Sequence, residues 1–234
     1  MLGMLPMARF FQYHLRTTDV SAARAFYAAV LGTVEVEIFQ LHEQALARGA
    51  RPHWLGYIDV ADVDATASAF AARGATPLGP KWVNPQGLEA AVMRDPGGAI
   101  LALAKPAASK AAPGPEVAWH ALNTRDLEGA RANYQALFGW QFAEPIEIDG
   151  IGSVFPFAWG LEDEILGSIS DITERPAVHP HWTFHFRVPD LEPALAAVRA
   201  HGGVALDPLV LPSGDRVAVC DDAQGAAFAL FAPA

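Results

Sequence analysis

The residues Gln12-Tyr13-His14-Leu15-Arg16-Thr17 read as a β-strand, and the run after them carries Ala23, Phe26, Tyr27 and Val30 at helical spacing. Asp19 stands where a helix N-cap belongs, and Gly32 closes the run. The same order returns later in the chain. Trp119-His120-Ala121-Leu122-Asn123-Thr124 is followed by Asp126, by Ala130, Tyr134, Leu137 and Phe138 at helical spacing, and by Gly139. A second pair of segments couples the strand at Pro52-His53-Trp54 to a cap at Asp62, and the strand at Pro180-His181-Trp182 to a cap at Asp190; their helices close at Gly74 and Gly202. A third pair, Asp95-Pro96-Gly97-Gly98 and Asp222-Ala223-Gln224-Gly225, predicts a turn leading into a short apolar strand. Strands and helices alternate four times, so the pattern is α+β and internally repeated.

The repeat divides the chain near its middle. Residues 106–116, rich in Ala, Pro and Gly without apolar periodicity, have the composition of a connecting segment. The expected domains are 1–105 and 117–234. One module departs from the others: Asp19 and Asp62 are 43 positions apart, whereas Asp126 and Asp190 are 64 apart, and the 21 missing positions fall between Gly32 and His53. About one hairpin is lost there. The remaining Leu41 to Gly49 has the propensities of a short helix ending at glycine.

Composition narrows the classes of function. With 52% apolar residues the chain can build a globular core, and no run approaches the roughly 20 apolar residues that span a bilayer. The first residues, Met1 to Arg9, lack a basic leader and a small-residue cleavage site, which leads to the expectation of a cytoplasmic protein with no membrane partner. Cys220 is the only cysteine, so an internal disulfide and a cysteine-rich zinc site are both excluded. A net charge of −10 argues against nucleic acid, whose phosphates are held by clustered cations.

The repeated strand–helix–strands unit resembles the βαβββ module of the vicinal oxygen chelate superfamily, which includes glyoxalase I, bleomycin-resistance proteins and extradiol dioxygenases. The segments around Phe26-Tyr27, Trp54, Asp95-Pro96-Gly97 and Gln224-Gly225 are similar to its local signatures. The resemblance covers nearly the whole chain and implies four modules forming two cup-shaped half-barrel domains, the first module truncated. In glyoxalase I and its relatives a first-strand metal ligand lies seven residues before the capping Asp. That place is filled by Gln12, Leu55, Trp119 and Thr183, and the last-strand glutamate is replaced by Ala102 and Ala229. One amide cannot make the three-ligand set of a catalytic divalent site, so no metal and no other cofactor is expected. An alternative is a relocated divalent metal held by Gln12 and His14, or by histidines among His179, His181 and His185.

Strand alternation extends the list of cup-facing positions to those five and three before each cap. In the first half these are Gln12, His14 and Arg16, then Leu55, Tyr57 and Asp59; in the second they are Trp119, Ala121 and Asn123, then Thr183, His185 and Arg187. Polar groups at such places are costly unless they pair or meet a ligand. His14 and His185 have the intrinsic pKa of a general acid or base. Gln12, Arg16, Tyr57, Asp59, Trp119, Asn123, Thr183 and Arg187 are the expected ligand-binding residues, with Arg16 placed like the glyoxalase I arginine that holds a substrate carboxylate and Trp119 offering a flat wall. A buried ion pair between Arg16 and Asp59 is the bland alternative. Trp54 and Trp182 have the opposite parity and are assigned to packing against helices. The expected protein is thus a small-molecule binder or metal-free enzyme, with a metal-dependent lyase or dioxygenase as the alternative, and its superfamily favours a homodimer.

Overall fold

A computed structural model describes residues 8–32, 36–84, 87–106, 114–149, 151–161 and 163–234. Most of the predicted connecting segment, and the start of the chain, lie outside the described residues. The first module consists of β1 (Phe10–Thr17), α1 (Val20–Leu31), β2 (Glu37–Gln40) and a short α2 (Glu43–Ala47). The second has β3 (His53–Asp59), α3 (Val63–Ala72), β4 (Thr76–Pro77), β5 (Trp82–Val83), β6 (Glu89–Arg94) and β7 (Ile100–Lys105). The third has β8 (Val117–Thr124), α4 (Leu127–Phe138), β9 (Gln141–Phe142), β10 (Ile146–Ile148), β11 (Gly152–Ala158) and β12 (Gly167–Asp171). The fourth has β13 (His181–Arg187), α5 (Leu191–Ala200), β14 (Val204–Ala205), β15 (Leu209–Val210), β16 (Arg216–Asp221) and β17 (Ala227–Ala232).

Each long helix starts on the aspartate its sequence offers. The carboxylates of Asp19, Asp62, Asp126 and Asp190 accept from the backbone N–H of Ala22, Ala65, Gly129 and Glu192, satisfying donors that the first helical turn leaves open. The strands form two mixed sheets, in the orders β2-β1-β3-β7-β6-β4 and β10-β11-β12-β8-β13-β17-β16-β14. The fold is α+β, with four modules in two cup-shaped half-barrels. The first module is the short one: β2 pairs directly and in parallel with β1, where β7 and β17 reach β3 and β13 only after an antiparallel hairpin. No helix among the described residues is long and apolar enough to cross a membrane.

The described residues cluster into two compact units that interleave segments of the chain. One unit lies within Met1–Gln12, Gly56–Ala111 and Ala121–Trp182, the other within Tyr13–Leu55, Ala112–His120 and Thr183–Ala234. In the first unit Tyr134 on α4 is fully buried and donates its hydroxyl to Asp95 at 2.9 Å, while Trp182 donates to the same hydroxyl at 3.3 Å. Trp140 stacks between Tyr134 and Phe157 at centroid distances of 4.9 and 4.8 Å. In the second unit Tyr27 on α1 donates to Asp222 at 3.1 Å and accepts from Trp54 at 2.9 Å, and Phe228 packs against both Phe26 and Tyr27. Each unit therefore has its own Trp–Tyr–Asp chain, so Trp54 and Trp182 do face helices as their parity requires. In the second unit Gln224 adds a clamp: its Oε1 accepts from the Asp19 backbone N–H at 2.6 Å and its Nε2 donates to the Asp19 carbonyl at 2.9 Å.

Candidate functional site

The tryptophan bonds fix which face of each strand meets the helices, and alternation assigns the opposite face. On β3 that face carries Leu55, Tyr57 and Asp59; on β13 it carries Thr183, His185 and Arg187. On β8 the alternate residues Trp119, Ala121 and Asn123 are half-buried while the intervening His120, Leu122 and Thr124 are buried. The proposed site residues are divided between the units. Gln12, Tyr57, Asp59 and Asn123 belong to the first, and His14, Arg16, Trp119, Thr183, His185 and Arg187 to the second.

In the first unit Tyr57 is fully buried, and the Asp59 carboxyl is raised by burial, opposed by the charge of Arg9. The second unit brings more chemistry together. On β1, His14 touches the carboxylate of Glu37 on β2, and its ring lies 4.8 Å from that of Phe39. The Arg16 guanidinium lies 4.7 Å over the same Phe39 ring, a cation–π arrangement. Burial, with Arg16 adding to it, pushes the His14 imidazole down to about 3.

In the second unit the face of β13, β17, β16, β14 and β15 turned away from the helices runs from buried positions at β13 and β17 to exposed ones at β16 and β14. Pairing across these strands extends it from His185. Ala229 lies beside His185, Val219 opposite Ala229, and Val217 opposite both Phe231 and Leu209. Val204 faces Asp221, and Leu206 follows it in register, donating its backbone N–H to the Val219 carbonyl. Thr183, Val217 and Ala229 are buried on this face, but Val204 and Leu206 are each 60% exposed and Val219 is 39% exposed.

His185 stands at the buried end of that apolar strip. Its Nδ1 is out of solvent and has no hydrogen-bond partner among the described residues. Burial, and secondarily the nearby His120, push its pKa down to about 3. The ring is therefore neutral at physiological pH, suited to hydrogen bonding and weak as a base. Arg187 sits farther along β13, its Nε donating to Glu116 at 2.6 Å and its guanidinium 5.1 Å over Phe231. A bidentate carboxylate clamp would have to displace that carboxylate first.

His181, in the first unit, is also pushed down to about 4, mainly by burial. Folding depresses both His181 and His185, so between about pH 6.5 and 4 the unfolded chain binds more protons than the folded one. Their contribution to stability is complete above about pH 6.5 and is lost as pH falls, each group adding a slope of up to about 1.4 kcal/mol per pH unit. The melting temperature is expected to drop on acidification from pH 7 to 5, with a shallower drop in His185→Phe. An unchanged or rising melting temperature would contradict this.

The superfamily's divalent metal fits these residues poorly. The parallel registers place Glu37 beside His14 as Ala102 stands beside Tyr57 and Ala229 beside His185. Glu37 thus occupies the last-strand position of the shortened module, a carboxylate that sequence spacing missed because the deletion hides where β2 begins. In the third module the Ile172 N–H bond to the Thr124 carbonyl repeats the Leu41 bond to Thr17, which sets Ser168 in the corresponding place. First-strand positions hold Gln12, Leu55, Trp119 and Thr183, and last-strand positions hold Glu37, Ala102, Ser168 and Ala229. Neither half offers the three strong ligands that a catalytic divalent site requires. The relocated histidine set fares no better: the His179 and His181 rings stack at 4.6 Å, and His181 Nδ1 is bonded to the His179 carbonyl. Among the described residues no group of three or more His, Cys, Asp or Glu is placed to hold a metal ion.

No protein-family profile matches the chain. It is 28% identical to CFP32, described as a suggested glyoxylase, of Mycobacterium tuberculosis and Mycobacterium bovis, over 94% of this chain and 93% of that protein. It is 30% identical to the anthracycline biosynthesis protein DauV of a Streptomyces species, over 76% of this chain and 64% of that protein. Among solved structures, the fold is similar to the 2,3-dioxygenase LapB of a Pseudomonas species, with a TM-score of 0.63 at 14% identity over 96% of this chain and 91% of that one. It is equally similar to a Mn(II)-bound glyoxalase of Novosphingobium aromaticivorans, at 0.63 and 12% identity over 96% and 83%. Four modules in two sheets, relatives named as a glyoxylase and an anthracycline biosynthesis protein, and solved neighbours that are a dioxygenase and a glyoxalase are consistent with the vicinal oxygen chelate superfamily.

Proposed function

We propose that the protein binds a small organic molecule on the face of β13 to β17 turned away from the helices, without a divalent metal such as the Mn(II) bound by the glyoxalase it resembles. The observation that carries this reading is the buried His185 Nδ1, which has no hydrogen-bond partner among the described residues, at the end of an exposed apolar strip, Val204, Leu206 and Val219. An unmet buried hydrogen-bonding atom costs about 1–3 kcal/mol, which a ligand group reaching it recovers. Exposed apolar surface next to a few polar groups is the usual make-up of a ligand site. Trp119 and Thr183 frame the ligand, and Arg187 with Glu116 closes one end. The site acts as a sequestering binder, or as a metal-free enzyme in which neutral His185 orients the ligand.

Two relatives named as a glyoxylase and as an anthracycline biosynthesis protein are in keeping with an organic ligand. A chain of net charge −10 with one buried cysteine fits a small-molecule protein of the cytoplasm better than a nucleic-acid binder. The contact of His14 with Glu37 favours a second reading, in which His14 and Glu37 take part in holding a relocated metal of a lyase or dioxygenase. Plasma mass spectrometry on the tag-free protein, after incubation with Ni, Zn, Mn or Fe(II) and dialysis, separates the two. Far less than one metal per chain is expected. Stoichiometric metal that disappears in Glu37→Ala would establish the second reading and overturn the first.

A further inference from the structure

Resting on that reading, we propose that the ligand is an uncharged, planar, largely apolar molecule of the fused-ring aromatic kind, recognised through one hydroxyl or carbonyl group by His185. Three features of the face select this class.

The first is charge. The cation on the face of β13 to β17 is Arg187, and Glu116 already neutralises it at 2.6 Å. Asp221 adds an exposed carboxylate opposite Ala227 on the same face. An anionic ligand would meet a local field of its own sign in a chain of net charge −10, and it would have to break the Arg187 pair to gain a partner.

The second is shape and polarity. Val204, Leu206 and Val219 present branched aliphatic surface along a sheet, which packs against a flat apolar body better than against a polar chain. Phe231, held under the Arg187 guanidinium, and Trp119 add aromatic surface in the same unit.

The third is the hydrogen bond. Beside His185 on β17 stands Ala229, whose methyl group offers no partner, so the imidazole Nδ1 is left for a ligand group. Because the ring stays neutral, it can accept from a hydroxyl or, in its other tautomer, donate to a carbonyl, and it brings no charge with which to hold an anion.

Isothermal titration of the full-length protein at pH 7 with 2-naphthol, 2-methylnaphthalene and 2-naphthoate tests this class. The expected order is 2-naphthol tightest, with the other two about tenfold weaker or more. His185→Phe should bring 2-naphthol to the affinity of 2-methylnaphthalene, and His185→Gln, which retains a hydrogen-bonding side chain, should keep most of it. If 2-naphthoate binds as tightly as 2-naphthol, or His185→Phe leaves the order unchanged, the ligand class is wrong while the binding face stands. If none of the three binds, or Val219→Asp leaves binding untouched, the face itself is wrong.

Discussion

Replacing Asp222 by alanine is expected to destabilise the protein by about 3–5 kcal/mol, the largest effect of any single substitution considered. Asp222 is buried, and its carboxylate accepts from the Tyr27 hydroxyl at 3.1 Å and from the backbone N–H groups of Gln224 and Ala226 at 2.9 Å each. Alanine takes the acceptor away from the buried Tyr27 hydroxyl and Ala226 N–H and from the half-buried Gln224 N–H. The damage also spreads, because the turn held by Asp222 carries Gln224, whose amide clamps the start of α1 through the Asp19 backbone. Asn in place of Asp222 keeps an acceptor and should cost roughly half as much. Urea unfolding measures both variants. A loss below about 1 kcal/mol for Asp222→Ala would show that the Trp–Tyr–Asp chain is not what secures the second unit.

The second large effect concerns binding. Val219→Asp should weaken 2-naphthol by about 100-fold while changing stability by no more than about 0.5 kcal/mol. The two halves of this prediction have different causes. Val219 is 39% exposed on the face of β13 to β17, opposite Ala229, so a carboxylate there stays hydrated in the free protein and loses that water only when an apolar ligand covers it. Val219→Ala removes contact area without adding charge and should cost less than tenfold. Titration and urea unfolding of the same preparations check both halves. Unchanged binding in Val219→Asp would remove the face from the account, and a fall in stability without a change in binding would make it a packing surface.

Much of the scaffold was legible because it is local. Asp19, Asp62, Asp126 and Asp190 announce helix starts through a hydrogen bond spanning two or three residues, and Gly139 ends α4 at a φ of +77°, a conformation that side chains disfavour. Parity along β3 and β13 placed Trp54 and Trp182 on the helix side for a similar reason, since alternation is a property of the strand alone. What escaped depends on pairing between distant segments. Nothing in the spacing shows that Glu37 comes to lie beside His14, because the shortened first module removes the hairpin by which the other modules are counted. The interleaving of segments into two compact units is likewise a matter of long-range contact.

The apolar strip was hidden for another reason. Val204 lies on a two-residue strand and Leu206 just beyond it, too short for any period to emerge, and their face is set only by bonds to β16. Equally, the sequence marks His185 as one polar residue among many on its strand face. Only the neighbouring Ala229 and the absence of a described partner at Nδ1 single it out.

The measurement that tests the central claim most directly is a methyl NMR titration of the protein labelled at Ala, Val and Leu, with 2-naphthol as the probe. Shifts concentrated at Ala229, Val217, Val219, Val204 and Leu206 are the predicted result. Shifts confined to methyl groups of the first unit, or scattered without preference, would contradict it.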